Sequence, residues 1–359
     1  MNRGKHNVGR ALLMVLSGTG LTLAAVHLLL PPFWGNPAIS KKISFLENAE
    51  RPYDRLFIGS SRIFREVAPR MLDSTLADGG KSFNLGYPSI YAPEGDIVCE
   101  RLIRSMKIKA RTVYVELNPF RLFQEQELKS ARDWYMVTPR VGWDLATHAW
   151  GMKWLSREKR TGYVEGASRA CIKASFLPGL FDQYMERDGK DDEFVFGPDR
   201  DGFNPFDVKE AQSVKDKGLA ERIRLFATDT SVIHEREQAI LSYYQDPGKV
   251  PYSNVYRDML ENLMALGDER GIKVVFLLMP LSNSREQMSL FYSLPKDRRI
   301  DLCDPLGYPE LYMARNVFDK GHLNSAGSRL LTMALANEIH GMGDTLTSAA
   351  GRQPGDPLP

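Results

Sequence analysis

The stretch Leu56-Phe57-Ile58-Gly59-Ser60-Ser61-Arg62 decides how this chain folds. Its apolar start predicts a short strand that is buried on both faces. The glycine that follows permits a tight turn, and two serine hydroxyl groups come directly after it, where a helix can begin. A buried strand that turns into a helix is the repeating unit of an α/β fold.

The same pattern recurs along the chain. Further strands are predicted at residues 81–85, 112–117, 273–279 and, more weakly, 300–303. Helices are predicted to open at Pro93, to cover residues 254–266, and to follow a capping Ser325. Strands that alternate with helices imply right-handed crossovers and a parallel sheet. We therefore expect a three-layer α/β/α sandwich with a five-stranded parallel sheet of the flavodoxin type.

Several polar residues are predicted to meet at one edge of this sheet. Ser61, Gly86 and Asn118 each follow a predicted strand, and active sites of open α/β sheets lie at the carboxyl ends of the strands. Asp319 and His322 come just before the last helix. A serine nucleophile needs a histidine base, which in turn needs a carboxylate to orient it. Ser61, His322 and Asp319 are the predicted catalytic residues, and plain turns that cap helices are the alternative.

Two sequence blocks carry a resemblance to a known superfamily. Gly59-Ser60-Ser61-Arg62 resembles the nucleophile block of the SGNH/GDSL hydrolases, with Ser60 where the Asp usually stands. Asp319 and His322 match the closing D-x-x-H block of that superfamily. The Gly-Ser-Ser variant of the nucleophile block, together with one N-terminal membrane anchor, is similar to the arrangement in cell-envelope proteins that move or remove acyl groups. Examples are the D-alanyl transfer protein of lipoteichoic acid and the alginate acetylation proteins. The resemblance covers roughly residues 50–125 and 250–340.

The resemblance also implies an oxyanion hole. Its donors would be the Ser61 N–H, the Gly86 N–H and the side-chain amide of Asn118. Asn118 departs from the family pattern, because the sequence reads Glu116-Leu117-Asn118-Pro119 where the pattern has Gly-x-Asn-Asp. Arg62, directly after the nucleophile, suits either an anionic or polyhydroxylated substrate or an ion pair with a carboxylate of the fold.

Composition excludes several classes of protein. The chain has 359 residues and a net charge of +2 with both signs interspersed, which argues against a nucleic-acid partner. Its three cysteines are widely spaced and odd in number, which argues against a disulfide framework and a zinc site. Cys99 and Cys303 lie in apolar runs and are expected in the core. No metal or organic cofactor is expected.

The N-terminal residues predict the compartment. Arg3, Lys5 and Arg10 precede a mostly apolar stretch, and residues 11–32 are predicted to form a transmembrane signal anchor. A cleaved signal peptide and a buried soluble helix are the alternatives. The anchor and the signal peptide would both export the remainder, and the anchor predicts a single-pass protein of the bacterial inner membrane with its catalytic domain in the periplasm. The predicted order is then a linker at 33–50, the main domain at 51–340 and a disordered tail at 341–359.

The main domain is interrupted by a predicted helical insertion at about residues 125–250. Trp134 and Trp150 lie among basic residues there and are candidate contacts for a sugar substrate. A membrane-interface patch and the small core of a helical cap are the alternatives. Acidic residues from Asp188 to Asp201 are expected to form a solvated loop.

Together these observations predict serine-dependent acyl transfer or ester hydrolysis outside the cytoplasm. The resemblance implies the substrate class, which is an O-acyl group on an envelope or secreted polysaccharide. The first expectation for this group is O-acetyl. The resemblance also implies a polytopic O-acyltransferase as a partner. A general esterase or lipase, and a non-catalytic carbohydrate-binding or assembly subunit, are the alternatives.

Overall fold

A computed structural model describes residues 3–29, 34, 36–105, 107–120, 139–151, 156–176, 192–206, 217–248, 250–281 and 284–343. The chain divides into two compact units. The first unit draws on Met1–Ser40 and Leu122–Gly189, and the second on Lys41–Arg121 and Lys190–Pro359. The predicted disordered tail lies almost entirely outside the described residues.

The helices, numbered in chain order, are α1 (Arg3–Leu29), α2 (Pro37–Glu47), α3 (Ser61–Glu66), α4 (Pro69–Leu76), α5 (Glu94–Ser105), α6 (Pro139–Gly151), α7 (Arg157–Phe176), α8 (Asp192–Phe196), α9 (Lys217–Thr228), α10 (Ser231–Gln245), α11 (Asn254–Glu269), α12 (Arg285–Ser293) and α13 (Ser325–Gly341). Short 3₁₀ turns lie at Lys296–Arg298, Pro309–Tyr312 and Ala314–Asn316.

In the first unit, α6 and α7 pack against each other. Among the described residues, no helix combines the length and the apolar character that crossing a membrane requires. The predicted anchor at 11–32 extends beyond the described residues and stays a prediction. Trp150 is described, and its side chain is exposed on α6. Trp134 lies outside the described residues.

The second unit contains the predicted sheet. Its strands are β1 (Arg55–Ile58), β2 (Ser82–Asn84), β3 (Thr112–Glu116), β4 (Lys273–Leu278) and β5 (Arg299–Asp301). All neighbouring strands are parallel, in the order β2-β1-β3-β4-β5, which is the order of flavodoxin-type sheets. All five predicted strands are confirmed to within two residues at each end. Buried, mostly apolar runs identified β1, β3 and β4, because both faces of the sheet are covered there.

The helices of the second unit pack in two groups. In one group α5 contacts both β3 and α11, and in the other α13 contacts both α3 and α4. This arrangement is consistent with helix layers on the two faces of the sheet. A separate hairpin of β6 (Val317–Asp319) and β7 (His322–Leu323) precedes α13. Cys99 and Cys303 are buried as expected.

Three local expectations need correction. The predicted linker contains α2, because Phe45 on this helix stacks on Phe83 and packs against Phe196. The N-cap of α13 is Asn324 rather than Ser325, since the Asn324 side chain accepts hydrogen bonds from two N–H groups of the first turn.

The acidic stretch is also more ordered than a solvated loop where it is described. The Asp201 carbonyl accepts the Asn84 N–H at 2.9 Å, next to β2, and the Asp201 carboxylate accepts the Phe203 N–H at 3.1 Å. Val195 and Phe196 of α8 are buried. Charge composition alone did not predict that this segment is ordered, because few of its residues are apolar and its hydrogen-bond partners are distant in sequence.

Candidate active site

The turn between β1 and α3 presents the predicted nucleophile. Ser60 is the N-cap of α3, and its Oγ accepts the Arg62 N–H at 3.3 Å. Ser61 is the first residue of the helix and is partly exposed. The two adjacent hydroxyl groups therefore have different surroundings, since Ser60 is buried and its Oγ is used by the turn.

Ser61, His322 and Asp319 form a continuous hydrogen-bonded chain. The Ser61 Oγ lies 2.8 Å from His322 Nε2, and His322 Nδ1 lies 2.8 Å from Asp319 Oδ1. Asp319 is buried, while the His322 side chain keeps 16% of its surface exposed. With the Nδ1 proton directed at the carboxylate, Nε2 is the nitrogen that accepts a proton from Ser61.

The hairpin of β6 and β7 holds the histidine in place. Asp319 Oδ1 also accepts the Gly321 N–H at 2.8 Å, so one carboxylate oxygen fixes both the turn and the imidazole. The ring of Phe206 packs edge-on against His322 with the centroids 4.9 Å apart. Phe206 in turn stacks on Phe318 at 4.2 Å. The imidazole therefore has little freedom to rotate away from Ser61.

Gly59 lets a buried carboxylate approach the nucleophile turn. A Cβ at Gly59 would lie 2.5 Å from Glu116 Oε2 and 2.6 Å from Glu116 Cβ. Glu116, at the carboxyl end of β3, is itself buried. The same Cβ would lie 2.4 Å from Ile63 Cγ1, so the glycine is required by the space that Glu116 and Ile63 occupy.

We expect Gly59→Ala to lower the free energy of unfolding by about 1–3 kcal/mol, the usual cost of overpacking a core. Urea denaturation followed by circular dichroism measures the change. Gly341→Ala is a matched control, because a Cβ at Gly341 would meet no atom within 4 Å. An equal effect of the two substitutions would contradict the close approach of Glu116 and Ile63 to Gly59.

The structure corrects the prediction for Gly86. Its N–H donates to Asn84 Oδ1 at 2.8 Å and is thus directed at the fold instead of a substrate oxygen. The Nζ of buried Lys42 binds the carbonyl oxygens of both Asn84 and Gly86 at 2.9 Å. A Cβ at Gly86 would lie 2.4 Å from the Phe64 nitrogen. Gly86 is required for close packing against α3, and we do not retain it as an oxyanion donor.

Asn118 and Arg62 lie together behind the nucleophile. Asn118 is buried, and its Oδ1 accepts a long hydrogen bond of 3.4 Å from Arg62 Nη2. Arg62 is also buried, and its Nε donates to Glu116 Oε1 at 2.7 Å. Of the two interpretations of Arg62, the structure supports the ion pair with a carboxylate of the fold. Among the described residues, none accepts a hydrogen bond from the Asn118 Nδ2 or from the Ser61 N–H.

A second buried carboxyl group lies beside the histidine. Glu66 Oε1 accepts the Leu323 N–H, next to His322, at 3.2 Å. Burial raises the pKa of Glu66 well above its ordinary value, against the opposing effect of the Arg62 charge. The folded protein therefore keeps Glu66 protonated at pH values where the unfolded chain ionises it. Because the folded state then binds the extra proton, this group makes the protein less stable as the pH rises.

We expect Glu66→Gln to remove the loss of stability that Glu66 causes as the pH rises, since glutamine is neutral at every pH. Its Oε1 can still accept the Leu323 N–H. From about pH 5 upward, wild type should lose stability relative to Glu66→Gln by up to about 1.4 kcal/mol per pH unit. Urea unfolding at pH 5 and pH 8 measures the difference, with exposed Glu269→Gln as the control. Parallel pH curves for wild type and Glu66→Gln would contradict the raised pKa.

Sequence reasoning missed three residues of this site. Glu116 was noticed only as a departure from the Gly-x-Asn-Asp pattern, although a carboxylate at the end of a buried strand indicates a buried partner. Glu66 and Phe206 gave no local signal. Within the described residues, no three His, Cys, Asp or Glu side chains come together so as to hold a metal ion.

No family model matches this chain, and no curated protein is similar enough to match.

Proposed function

We propose that this protein is a serine-dependent acyltransferase or esterase of the cell envelope, with an SGNH-like domain. The observation that carries the proposal is the chain of two 2.8 Å contacts from Ser61 Oγ through His322 to Asp319. A serine, an imidazole and a buried carboxylate in this order can activate a hydroxyl group for attack on a carbonyl carbon.

The first step would form an acyl enzyme. As the Ser61 Oγ attacks the ester carbon, His322 Nε2 takes the hydroxyl proton and the Asp319 carboxylate stabilises the resulting imidazolium. The carbonyl oxygen becomes an oxyanion. When the tetrahedral intermediate collapses, the bond to the alcohol breaks and His322 returns the proton to the departing alkoxide oxygen.

The second step would transfer the acyl group. His322 Nε2 removes a proton from the acceptor hydroxyl, whose oxygen attacks the acyl-Ser61 carbonyl carbon. The bond from that carbon to Ser61 Oγ then breaks, and His322 returns the proton to the serine oxygen. Water as acceptor gives hydrolysis, and a sugar hydroxyl gives transfer. The resemblance supports O-acyl groups of a polysaccharide, an N-terminal membrane anchor and a polytopic O-acyltransferase partner as parts of the same proposal.

The oxyanion would be held by two donors. The Ser61 N–H opens α3, and the Asn118 Nδ2 lies opposite the oxygen that Arg62 binds. Donors of this kind act on charge that develops in the transition state, so their loss lowers kcat more than it raises KM.

We expect Asn118→Ala to lower kcat for p-nitrophenyl acetate by about 10²–10³-fold, with KM changed by only a few fold. Initial rates over a range of ester concentrations separate the two constants. Exposed Asn48→Ala is the control and should match wild type. An unchanged kcat in Asn118→Ala would remove Asn118 from the oxyanion hole.

The direct test of the proposal is reaction of the purified full-length chain with a fluorophosphonate probe. Peptide mapping is expected to find one adduct on Ser61, and Ser61→Ala and His322→Ala should lose it. Release of labelled acetate from a model ester should show the same dependence on both residues. A folded wild-type chain that neither reacts with the probe nor hydrolyses an ester would overturn the enzymatic proposal.

A second candidate is a non-catalytic binding or assembly subunit with the same fold. The engaged Gly86 N–H and the missing Gly-x-Asn-Asp pattern favour it, because both reduce the oxyanion hole. Such a protein would bind an acylated polysaccharide equally well before and after Ser61→Ala.

A further inference from the structure

A buried ion pair lies directly beneath the nucleophile turn. The side chain of Glu116 is 0% exposed and that of Arg62 is 6% exposed, and Arg62 Nε lies 2.7 Å from Glu116 Oε1. Buried charges of this kind are retained when they satisfy several hydrogen-bonding groups at once. Here the groups that they satisfy belong to the turn of Ser61 and to its neighbours.

Glu116 uses both carboxylate oxygens on the turn. Its Oε2 accepts the Ser60 N–H at 2.5 Å, and its Oε1 accepts the Ser60 hydroxyl at 3.0 Å. The absence of a side chain at Gly59 makes room for this contact. The peptide that precedes Ser61 is therefore fixed by a carboxylate that β3 supplies.

Arg62 extends the connection to two further strand ends. Its Nη1 donates to the Pro280 carbonyl at 3.3 Å, beyond β4, and its Nη2 donates to Asn118 Oδ1 at 3.4 Å, beyond β3. One guanidinium thus joins the carboxyl ends of β1, β3 and β4. A lysine in its place would offer a compact ammonium in place of a planar fork of donors.

The guanidinium also decides which way the Asn118 amide faces. Arginine has donors only, so the amide oxygen must be the atom turned toward it. The Nδ2 group is then directed away from Arg62. This is the orientation in which the amide can donate to a substrate oxygen.

We propose that the Arg62–Glu116 ion pair is the positioning device that sets both the Ser61 turn and the Asn118 amide. The inference rests on the proposed function. It assigns Arg62 to positioning instead of substrate binding, because the guanidinium is buried and engaged with Glu116, Pro280 and Asn118.

A double-mutant cycle on the full-length chain tests the device. Arg62→Lys is expected to slow fluorophosphonate labelling by about 10–100-fold, with melting temperature and near-UV circular dichroism close to wild type. In the Arg62→Lys background, Asn118→Ala should then cost no more than about 3-fold, because the amide is already misaligned. Losses that multiply would overturn the inference. Exposed Arg104→Lys is the control for the exchange of arginine for lysine.

A spectroscopic arm separates this inference from the proposed function. In NMR spectra of the chain labelled with ¹⁵N-asparagine, the side-chain amide resonance that disappears in Asn118→Ala belongs to Asn118. That resonance is expected to shift in Arg62→Lys and to stay in place in Arg104→Lys. A wild-type chain that neither reacts with the probe nor hydrolyses an ester would overturn only the enzymatic proposal, whereas an unmoved Asn118 resonance would overturn the positioning device. If Arg62→Lys does not fold, Ser60→Ala replaces it in both measurements, because it removes the Ser60 hydroxyl contacts with Glu116 and with the Arg62 N–H while leaving both side chains of the ion pair in place.

Discussion

Ser61→Ala is expected to lower the rate of ester hydrolysis by at least about 10⁴-fold, because alanine leaves no oxygen to form the acyl enzyme. The adjacent hydroxyl cannot replace it. Ser60 Oγ donates to Glu116 Oε1 at 3.0 Å and accepts the Arg62 N–H at 3.3 Å, while the histidine lies against Ser61. Only weak catalysis by the remaining donors should persist.

Initial rates on p-nitrophenyl acetate and intact mass after fluorophosphonate treatment measure this effect. Ser74→Ala, an exposed serine on α4, is the matched control and should keep the wild-type rate. Full activity in folded Ser61→Ala would mean that another group carries the reaction. A new adduct on Ser60 in that variant would show that the turn can place either hydroxyl against His322.

The sheet was predictable because its signal is local. The strands β1, β3 and β4 lie in short, mostly apolar runs that a glycine, an asparagine or a proline follows, as expected for strands buried on both faces. The strands β2 and β5 have a weaker signal, because each has one apolar residue between two polar ones. The α2 helix was missed although Ile39, Ile43 and Leu46 recur at helical spacing and are buried. The helix has only 11 residues and directly follows the predicted anchor, so its periodicity was assigned to a linker. The contacts of Lys42 and Phe45 with β2 and the segment around Gly202 have no local signal.

The candidate site was predictable in its chain of three residues and less so in its surroundings. Ser61, Asp319 and His322 are carried by short motifs, and the parallel sheet and the hairpin before α13 bring those motifs together. The contacts of Gly86 and Arg62 depend on which donor meets which acceptor across distant loops. Sequence spacing does not encode that geometry, so the expected oxyanion donor Gly86 is a packing glycine, and only the structure selects the ion pair from the two roles left open for Arg62.

Asp319→Asn is expected to lower the esterase rate by about 10³–10⁴-fold while leaving the hairpin folded. An asparagine can still accept the Gly321 N–H that Asp319 Oδ1 accepts at 2.8 Å, so the turn keeps its contact. It cannot supply the negative charge that stabilises the imidazolium. If the amide instead turns its Nδ2 toward His322 Nδ1, the imidazole is held with its proton on Nε2 and cannot accept one from Ser61.

The measurement compares rates at pH 7 and pH 9 for wild type, Asp319→Asn and the exposed control Asp258→Asn. Once the base is ineffective, hydroxide becomes the alternative proton acceptor, and the residual rate of Asp319→Asn should rise about tenfold per pH unit. Wild type and Asp258→Asn should show no such rise. A misfolded hairpin would lower the rate equally at both pH values. A wild-type rate in Asp319→Asn would instead show that His322 keeps its orientation through Phe206 and the hairpin alone.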